Sequence, residues 1–333
     1  MKKKIIIISS SFIALLGLAI LFFPGVLTIF KENASQDVRE QPKDLRMDGY
    51  AEMQEKVDVD SEIAFSSEKE NLTMDIYTPK ESKEEKKPVI FLAHGGAFIA
   101  GDKKSFADYS VMLASEGYVV VNINYGLAPA YTYPSPLEDI REAYEYARKH
   151  QTDYEMDFDR IAFGGASAGG QIMGQFVNIQ VDEQYSEKVD IDPVVDADSI
   201  KAIFFFSALL DFNKYDVYEN GEVNEVFHKS AQAYFDEKEW KQLDVVQQAN
   251  IVGRVRDTYP PTYITDGNTA SFQSQAEELE QELKDEDVPV TTTFFSKDEA
   301  ELRHQYQFNM KLEQSVENYE EVVEFLDEYV KDE

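Results

Sequence analysis

Two short runs in the chain carry the residue types of nucleophilic acyl chemistry. The first is Gly165-Ala166-Ser167-Ala168-Gly169, a G-x-S-x-G pattern that follows an apolar run and precedes a helix-compatible one. A serine on a sharp strand-to-helix turn has unfavourable backbone angles, and only small residues two positions away avoid a clash. Such a turn lifts the hydroxyl above a sheet, and the helix N-terminus behind it favours developing negative charge. Gly164 and Gly170 add to the small-residue setting. The second run is His94-Gly95-Gly96-Ala97-Phe98, directly after the apolar stretch 89–93. A nucleophilic serine needs backbone N–H groups to hold the oxyanion of a tetrahedral intermediate, and glycine lets them come close. Losing one such donor costs on the order of 10²–10³ in rate. A plain strand-end turn needs one glycine rather than two, and no histidine.

Positioning these residues takes a layered scaffold. Short apolar runs alternate with helical patterns, which predicts a parallel sheet with crossover helices and no internal repeat. Strands are predicted at 62–66, 72–77, 89–93, 119–124, 160–163, 202–206, 262–265 and 290–295, with the first two as an antiparallel edge. A helix over 105–115 ends before Gly117, and Ser135-Pro136-Leu137-Glu138 reads as a capping box opening a helix that buries Leu137, Ile140, Tyr144 and Ala147. Further helical stripes run through Phe272, Ala276, Leu279 and Leu283, and through Val316, Tyr319, Val323, Leu326 and Val330. Two stretches break the rhythm. Residues 180–199 are acidic and read as a loop. Residues 212–258 are mostly helical, hold the single tryptophan, Trp240, and read as a cap inserted between two strands.

Composition narrows the class. The 333 residues hold 64 acidic and 32 basic side chains, a net charge of -32, which argues against nucleic-acid binding. Cysteine is absent, which excludes disulfides, thiol catalysis and Cys-ligated zinc. Three lysines precede an apolar run over 5–30. That run is long enough to cross a bilayer, which takes ~20 mostly apolar residues, with the N-terminus inside. An anchor at 1–30 and a cleaved signal peptide are both open readings, although Glu32 before Ala34 is a poor cleavage site. Either exports the rest, so the expected location is the outer face of a cell membrane or secretion. The lack of cysteine fits a bacterial envelope. Residues 31–60 read as a polar linker with one short helix around 49–57, and 61–333 as the folded domain.

With these runs in place, the chain resembles an α/β-hydrolase of the hormone-sensitive-lipase-like carboxylesterase branch. The resemblance rests on Asp75-Ile76-Tyr77-Thr78-Pro79, His94-Gly95-Gly96-Ala97-Phe98 with Gly101-Asp102, and Asn124-Tyr125-Gly126-Leu127-Ala128-Pro129. It continues through Tyr133-Pro134-Ser135-Pro136-Leu137-Glu138-Asp139 and Gly165-Ala166-Ser167-Ala168-Gly169-Gly170, and thins after residue 174. It implies a mostly parallel eight-stranded sheet, a serine nucleophile, no cofactor or metal, and a small-molecule ester as substrate. It also implies oxyanion donors at Gly95, Gly96 and Ala168. The chain order serine, acid, histidine then selects His304 as base over His94 in the oxyanion run, His150 at a helix end and His228 in the cap.

The acid departs from the resemblance. Counted from Pro260-Pro261, the expected aspartate position holds Ala270. Three readings compete: Asp266 serves from four residues earlier; Asp211, Asp298, Glu299 or Glu301 substitutes; or no acid orients the histidine. For Asp266 the structural alternative is a turn residue capping its own loop. The expected activity is hydrolysis of short acyl or acetyl esters through Ser167, His304 and Asp266. The rivals are a peptidase or acyltransferase on the same fold and a non-catalytic binding domain with a decayed triad.

Overall fold

The strands with unbroken apolar runs lie at the centre of one sheet, because both of their faces are covered. The structure, a computed structural model, describes residues 44–66, 69, 72–81, 86–216 and 221–331. Its eight strands are β1 (Val57–Ala64), β2 (Thr73–Pro79), β3 (Lys87–Ala93), β4 (Val119–Ile123), β5 (Met156–Ala166), β6 (Ile200–Phe206), β7 (Thr262–Thr265) and β8 (Val290–Thr293). They pair in the order β1-β2-β4-β3-β5-β6-β7-β8. The β1–β2 and β2–β4 pairs are antiparallel and the rest parallel.

The nine α-helices among the described residues are α1 (Tyr50–Glu55), α2 (Ala107–Ser115), α3 (Ser135–Lys149), α4 (Ala168–Val181), α5 (Glu183–Val189), α6 (Gly221–Phe235), α7 (Asp244–Ala249), α8 (Gln273–Asp285) and α9 (Glu313–Leu326). Alternation along the strands divides the core in two. Val89, Phe91 and Ala93 of β3 join the apolar residues of α3, α4 and the insert between β6 and β7. Ile90 and Leu92 join those of α2 and α9. Trp240, Val246 and Ile251 of the insert are fully buried, so it extends the first core layer instead of hanging at the periphery.

Several local expectations are corrected. Strand β1 begins at Val57, not at 62, because it is an exposed edge whose polar residues gave no apolar signal. The acidic stretch 180–199 is not all loop. Helix α4 runs to Val181, and the Asp182 side chain caps α5 by accepting from the Tyr185 N–H at 3.0 Å. Carboxylates at a helix N-terminus are favourable, so acidity there marks a helix start. The capping box does not form: Pro134 occupies the cap position, and Ser135 Oγ accepts from Lys69 Nζ at 2.8 Å. No helix among the described residues is long and apolar enough to cross a membrane. The segment 1–30 and the first part of the 31–60 linker lie outside the described residues.

Candidate active site

Strand β5 runs straight into Ser167, whose backbone adopts φ 53 and ψ -118 before α4 starts at Ala168. A non-glycine residue held there is strained, and the surroundings must over-determine it. They do: the Ser167 N–H donates to Phe206 O at 3.0 Å, and Ser167 O accepts from the Leu209 N–H at 3.2 Å. A Cβ at Gly169 would sit 2.1 Å from Ala93 O, and one at Gly165 would sit 2.5 Å from the Gly169 carbonyl carbon. The two flanking glycines are therefore demanded by contact between the end of β3, the turn and the first residues of α4.

The run after β3 closes over this turn. Gly96 has φ +132, and its carbonyl accepts from the N–H groups of Ile99 and Ala100 at 3.1 and 3.0 Å. A Cβ placed on Gly95 would lie 3.2 Å from Ser167 Cβ, so this loop borders the serine directly. Ala168 is the first residue of α4, where N–H groups have no intrahelical acceptor. Gly95, Gly96 and Ala168 are thus gathered beside Ser167. His94 braces the loop: its ring stacks on Tyr125 at 4.4 Å, its Nδ1 donates to Gly95 O at 2.7 Å, and its carbonyl accepts from Tyr125 Oη at 2.7 Å. Burial holds the His94 imidazole down to about 4, so it is neutral at physiological pH.

His304 lies between β8 and α9. Its Nε2 is 3.0 Å from Ser167 Oγ and its Nδ1 is 2.8 Å from Ser271 Oγ. Those two hydroxyls are the ring's hydrogen-bond partners among the described residues, and the Phe272 ring meets it edge-on at 5.2 Å. Burial pulls His304 down to about 4. Asp266 follows β7 and is 1% exposed. Its Oδ1 accepts from Ser271 Oγ and, at 2.7 Å, from the Gly267 N–H. Burial pushes the Asp266 carboxyl up to about 7, against the pull of those hydrogen bonds.

Of the three readings of the acid, Asp266 is the carboxylate brought nearest to His304, but it makes no direct hydrogen bond to the ring, since Ser271 Oγ lies between them. The chain turns at Ala270, which has φ 48 and an exposed side chain, and it is the next residue, Ser271, that faces the ring. The sequence reading missed Ser271; the available signal was a hydroxyl one position after the alanine that replaces the expected acid. The alternative carboxylates lie elsewhere. Asp211 caps the turn at Phe212–Lys214, accepting from the Asn213 N–H at 2.9 Å. Glu299 accepts from the Ser296 N–H at 2.8 Å, and Asp298 and Glu301 are exposed. His150 pairs with Asp153 at 2.9 Å, and His228 pairs with Asp216 at 2.9 Å within the insert. Among the described residues, no group of three or more His, Asp or Glu side chains is placed to hold a metal ion.

Comparison with known proteins agrees with this architecture. A family model described as BD-FAE matches residues 74–283. An esterase of Gibberella moniliformis is 36% identical over 98 residues, 29% of this chain and 31% of that protein. A versiconal hemiacetal acetate esterase of Dothistroma septosporum is 29% identical over 215 residues, 61% of this chain and 62% of that protein. The chain thus spans less than two thirds of the length of either relative. The crystal structure of an inhibited Esterase B from Lactobacillus rhamnosis superposes with a TM-score of 0.75 at 19% identity, covering 96% of this chain and 97% of that one. At that identity the likeness speaks for the fold alone. On the match across well over half its length, the chain belongs to the BD-FAE family, carried on an α/β-hydrolase fold.

Proposed function

We propose that this protein is a serine carboxylesterase that hydrolyses short acyl or acetyl esters through an acyl-enzyme intermediate. The observation that carries the reading is the 3.0 Å approach of His304 Nε2 to Ser167 Oγ, on a serine whose φ is 53. A hydroxyl held in that conformation and hydrogen-bonded to an imidazole is an activated nucleophile. Ser167 Oγ bonds to the ester carbonyl carbon while its proton passes to His304 Nε2. The N–H groups of Gly95, Gly96 and Ala168 hold the oxyanion. Collapse breaks the bond to the alkoxide, which leaves with the proton from His304. Water then attacks the acyl carbon, gives a proton to His304, and the acid departs as Ser167 recovers its hydrogen.

A short acyl group suits the surroundings. Phe98, two residues after Gly96, is fully buried, stacks on Tyr234 of α6 at 4.1 Å and lies 5.5 Å from Phe212. Phe272 packs against Phe227 of α6 at 5.8 Å as well as against His304. Aromatic rings from the insert thereby pack against Phe98 of the double-glycine loop and against Phe272 beside His304, as a cap over the site would. The acetate ester in the name of one relative supports the same size class. The test is turnover of p-nitrophenyl esters from acetate to octanoate. Rates that fall with chain length and vanish in Ser167→Ala support the reading; turnover that survives in Ser167→Ala removes it.

For the segment outside the described residues, we infer from the apolar run 5–30 a tether that holds the enzyme at the outer face of a membrane. Alkaline carbonate washing should leave the full chain with membranes and release residues 31–333. Release of the full chain would contradict the tether.

A further inference from the structure

We propose that Ser271 is the positioning residue of this site, and that the Asp266 carboxylate acts on His304 through the Ser271 hydroxyl instead of touching the ring. The inference rests on the reading of Ser167 and His304 as nucleophile and base. Its foundation is a chain of three hydrogen bonds: Ser167 Oγ to His304 Nε2, His304 Nδ1 to Ser271 Oγ, and Ser271 Oγ to Asp266 Oδ1.

The donor and acceptor inventory fixes the direction of every link. An ionised carboxylate only accepts, so the Ser271 proton points at Asp266. The Ser271 oxygen then has lone pairs to offer, and the donor facing it is the Nδ1–H of His304. With its proton on Nδ1, the imidazole presents the Nε2 lone pair to Ser167. One anion thus sets the tautomer of a ring it does not contact. When Nε2 takes the Ser167 proton, the new positive charge meets an oxygen polarised by the carboxylate behind it. The Nδ1 and Ser271 protons keep their owners throughout, so only one proton is transferred in the step.

The two loops that carry this chain are laced together. Asn268 Nδ2 donates to Phe295 O at 3.0 Å and Ala300 O at 2.8 Å, and its Oδ1 accepts from the Leu302 N–H at 3.0 Å. The Thr269 N–H donates to Leu302 O at 2.9 Å. A Cβ on Gly267 would lie 2.4 Å from Arg303 O, so only glycine allows this approach. The lacing holds Ser271 opposite His304 while Ala270 points outward. A carboxylate at 270, as the resemblance implied, would face solvent in this loop. The buried setting, with the Phe272 edge on the ring, strengthens each link of the chain.

The test compares the full-length wild type with Ser271→Ala, Ser271→Thr, Asp266→Asn and the Ser271→Ala/Asp266→Asn double variant. Two readouts are taken: kcat and KM for p-nitrophenyl acetate, and titration of the His304 ring by NMR with carbon-labelled histidine. Ser271→Ala and Asp266→Asn should each lower kcat about 10²–10³-fold with KM within ~3-fold, since neither group touches the ester. The double variant should be no worse than Ser271→Ala, because the two act as one unit. Ser271→Thr, which keeps the hydroxyl, should stay within ~10-fold of wild type. Asp266→Asn should shift the His304 titration more when Ser271 is present than in the Ser271→Ala background. Multiplying losses, a Ser271→Ala variant within ~3-fold of wild type, or equal titration shifts in both backgrounds would overturn the proposal. The readouts also separate the two claims. A wild type that turns over no ester but shows the coupled titration contradicts the esterase reading and upholds the Ser271 link; an active wild type with independent variants contradicts the link alone.

Discussion

The Tyr234 ring lies parallel to that of Phe98, with centroids 4.1 Å apart and planes 13° apart. Phe98 belongs to the loop that carries Gly95 and Gly96, and Tyr234 to the helical insert between β6 and β7. The Tyr133 N–H donates to Tyr234 O at 2.8 Å, which ties the same helix to the segment before α3. The insert therefore supports the loop beside Ser167, and its packing and the site's geometry are one problem.

Tyr234 carries a test of that packing. Its hydroxyl is buried and has no hydrogen-bond partner among the described residues. An unpaired buried polar group costs ~1–3 kcal/mol. Tyr234→Phe keeps the stacked ring and removes the hydroxyl, so it should raise unfolding stability by about 1 kcal/mol or more in urea titration. A lower stability would show that the hydroxyl has a partner in solution.

Gly96 and Gly117 make a matched pair that tests the proposed oxyanion role of the Gly95-Gly96 loop. Both have positive φ, +132 and +107, but a Cβ at Gly96 would lie 1.9 Å from Ala100 O while one at Gly117 meets nothing within 4 Å. Gly96→Ala must displace the backbone donors and should lower kcat by ~10² or more. Gly117→Ala should leave kcat unchanged and cost only the strain of its conformation, about 1 kcal/mol in the melting assay. Equal kinetic effects of the two changes would contradict the role given to the Gly96 loop.

Much of this was written in the residues and some of it was not. The six sheet-interior strands were visible because they are buried and hold apolar residues such as Phe91, Phe163 and Phe205, and the edge strand β8 was visible through its β-branched run Val290–Thr293. The start of β1 was not, since after Val57 its residues are polar or exposed on the sheet edge, with Asp58 and Asp60 pairing with Lys80 and the Tyr154 hydroxyl. Helix α5 hid behind the acidity that caps it. At the site, Ser167, His304 and the double glycine stand at recognisable positions because strand ends and turn sterics dictate them. Ser271 does not: its importance comes from a loop whose path depends on Asn268 and Gly267 contacts with residues 295–303, far away in sequence.

Asp266 links activity to stability with a definite sign. Its folded value, about 7, lies above the ordinary 3.8, so the folded protein binds the extra proton between those limits. Asp266 therefore lowers stability as pH rises from about 4 to about 7, and the loss is complete above that. Asp266→Asn should be more stable than wild type at pH 8, by an amount on the order of a few kcal/mol, and the gain should shrink to nothing as pH falls to about 4. Wild-type kcat should fall as pH drops through about 7, because a protonated Asp266 no longer orders Ser271. His304, held down to about 4, contributes a second fall at lower pH. Chemical denaturation across pH 4–8 measures the first effect, and rate profiles over the same range measure the second. A pH-independent stability difference would contradict the buried carboxylate.

The central claim is that Ser167 is a nucleophile activated by His304, and covalent labelling tests it without knowledge of the natural ester. The wild type is exposed to a fluorophosphonate probe, digested and sequenced by mass spectrometry. A single adduct on Ser167, slowed at least ~10³-fold in His304→Ala, is the expected result. An adduct on another residue, or labelling of Ser167 at an undiminished rate without His304, would contradict the account.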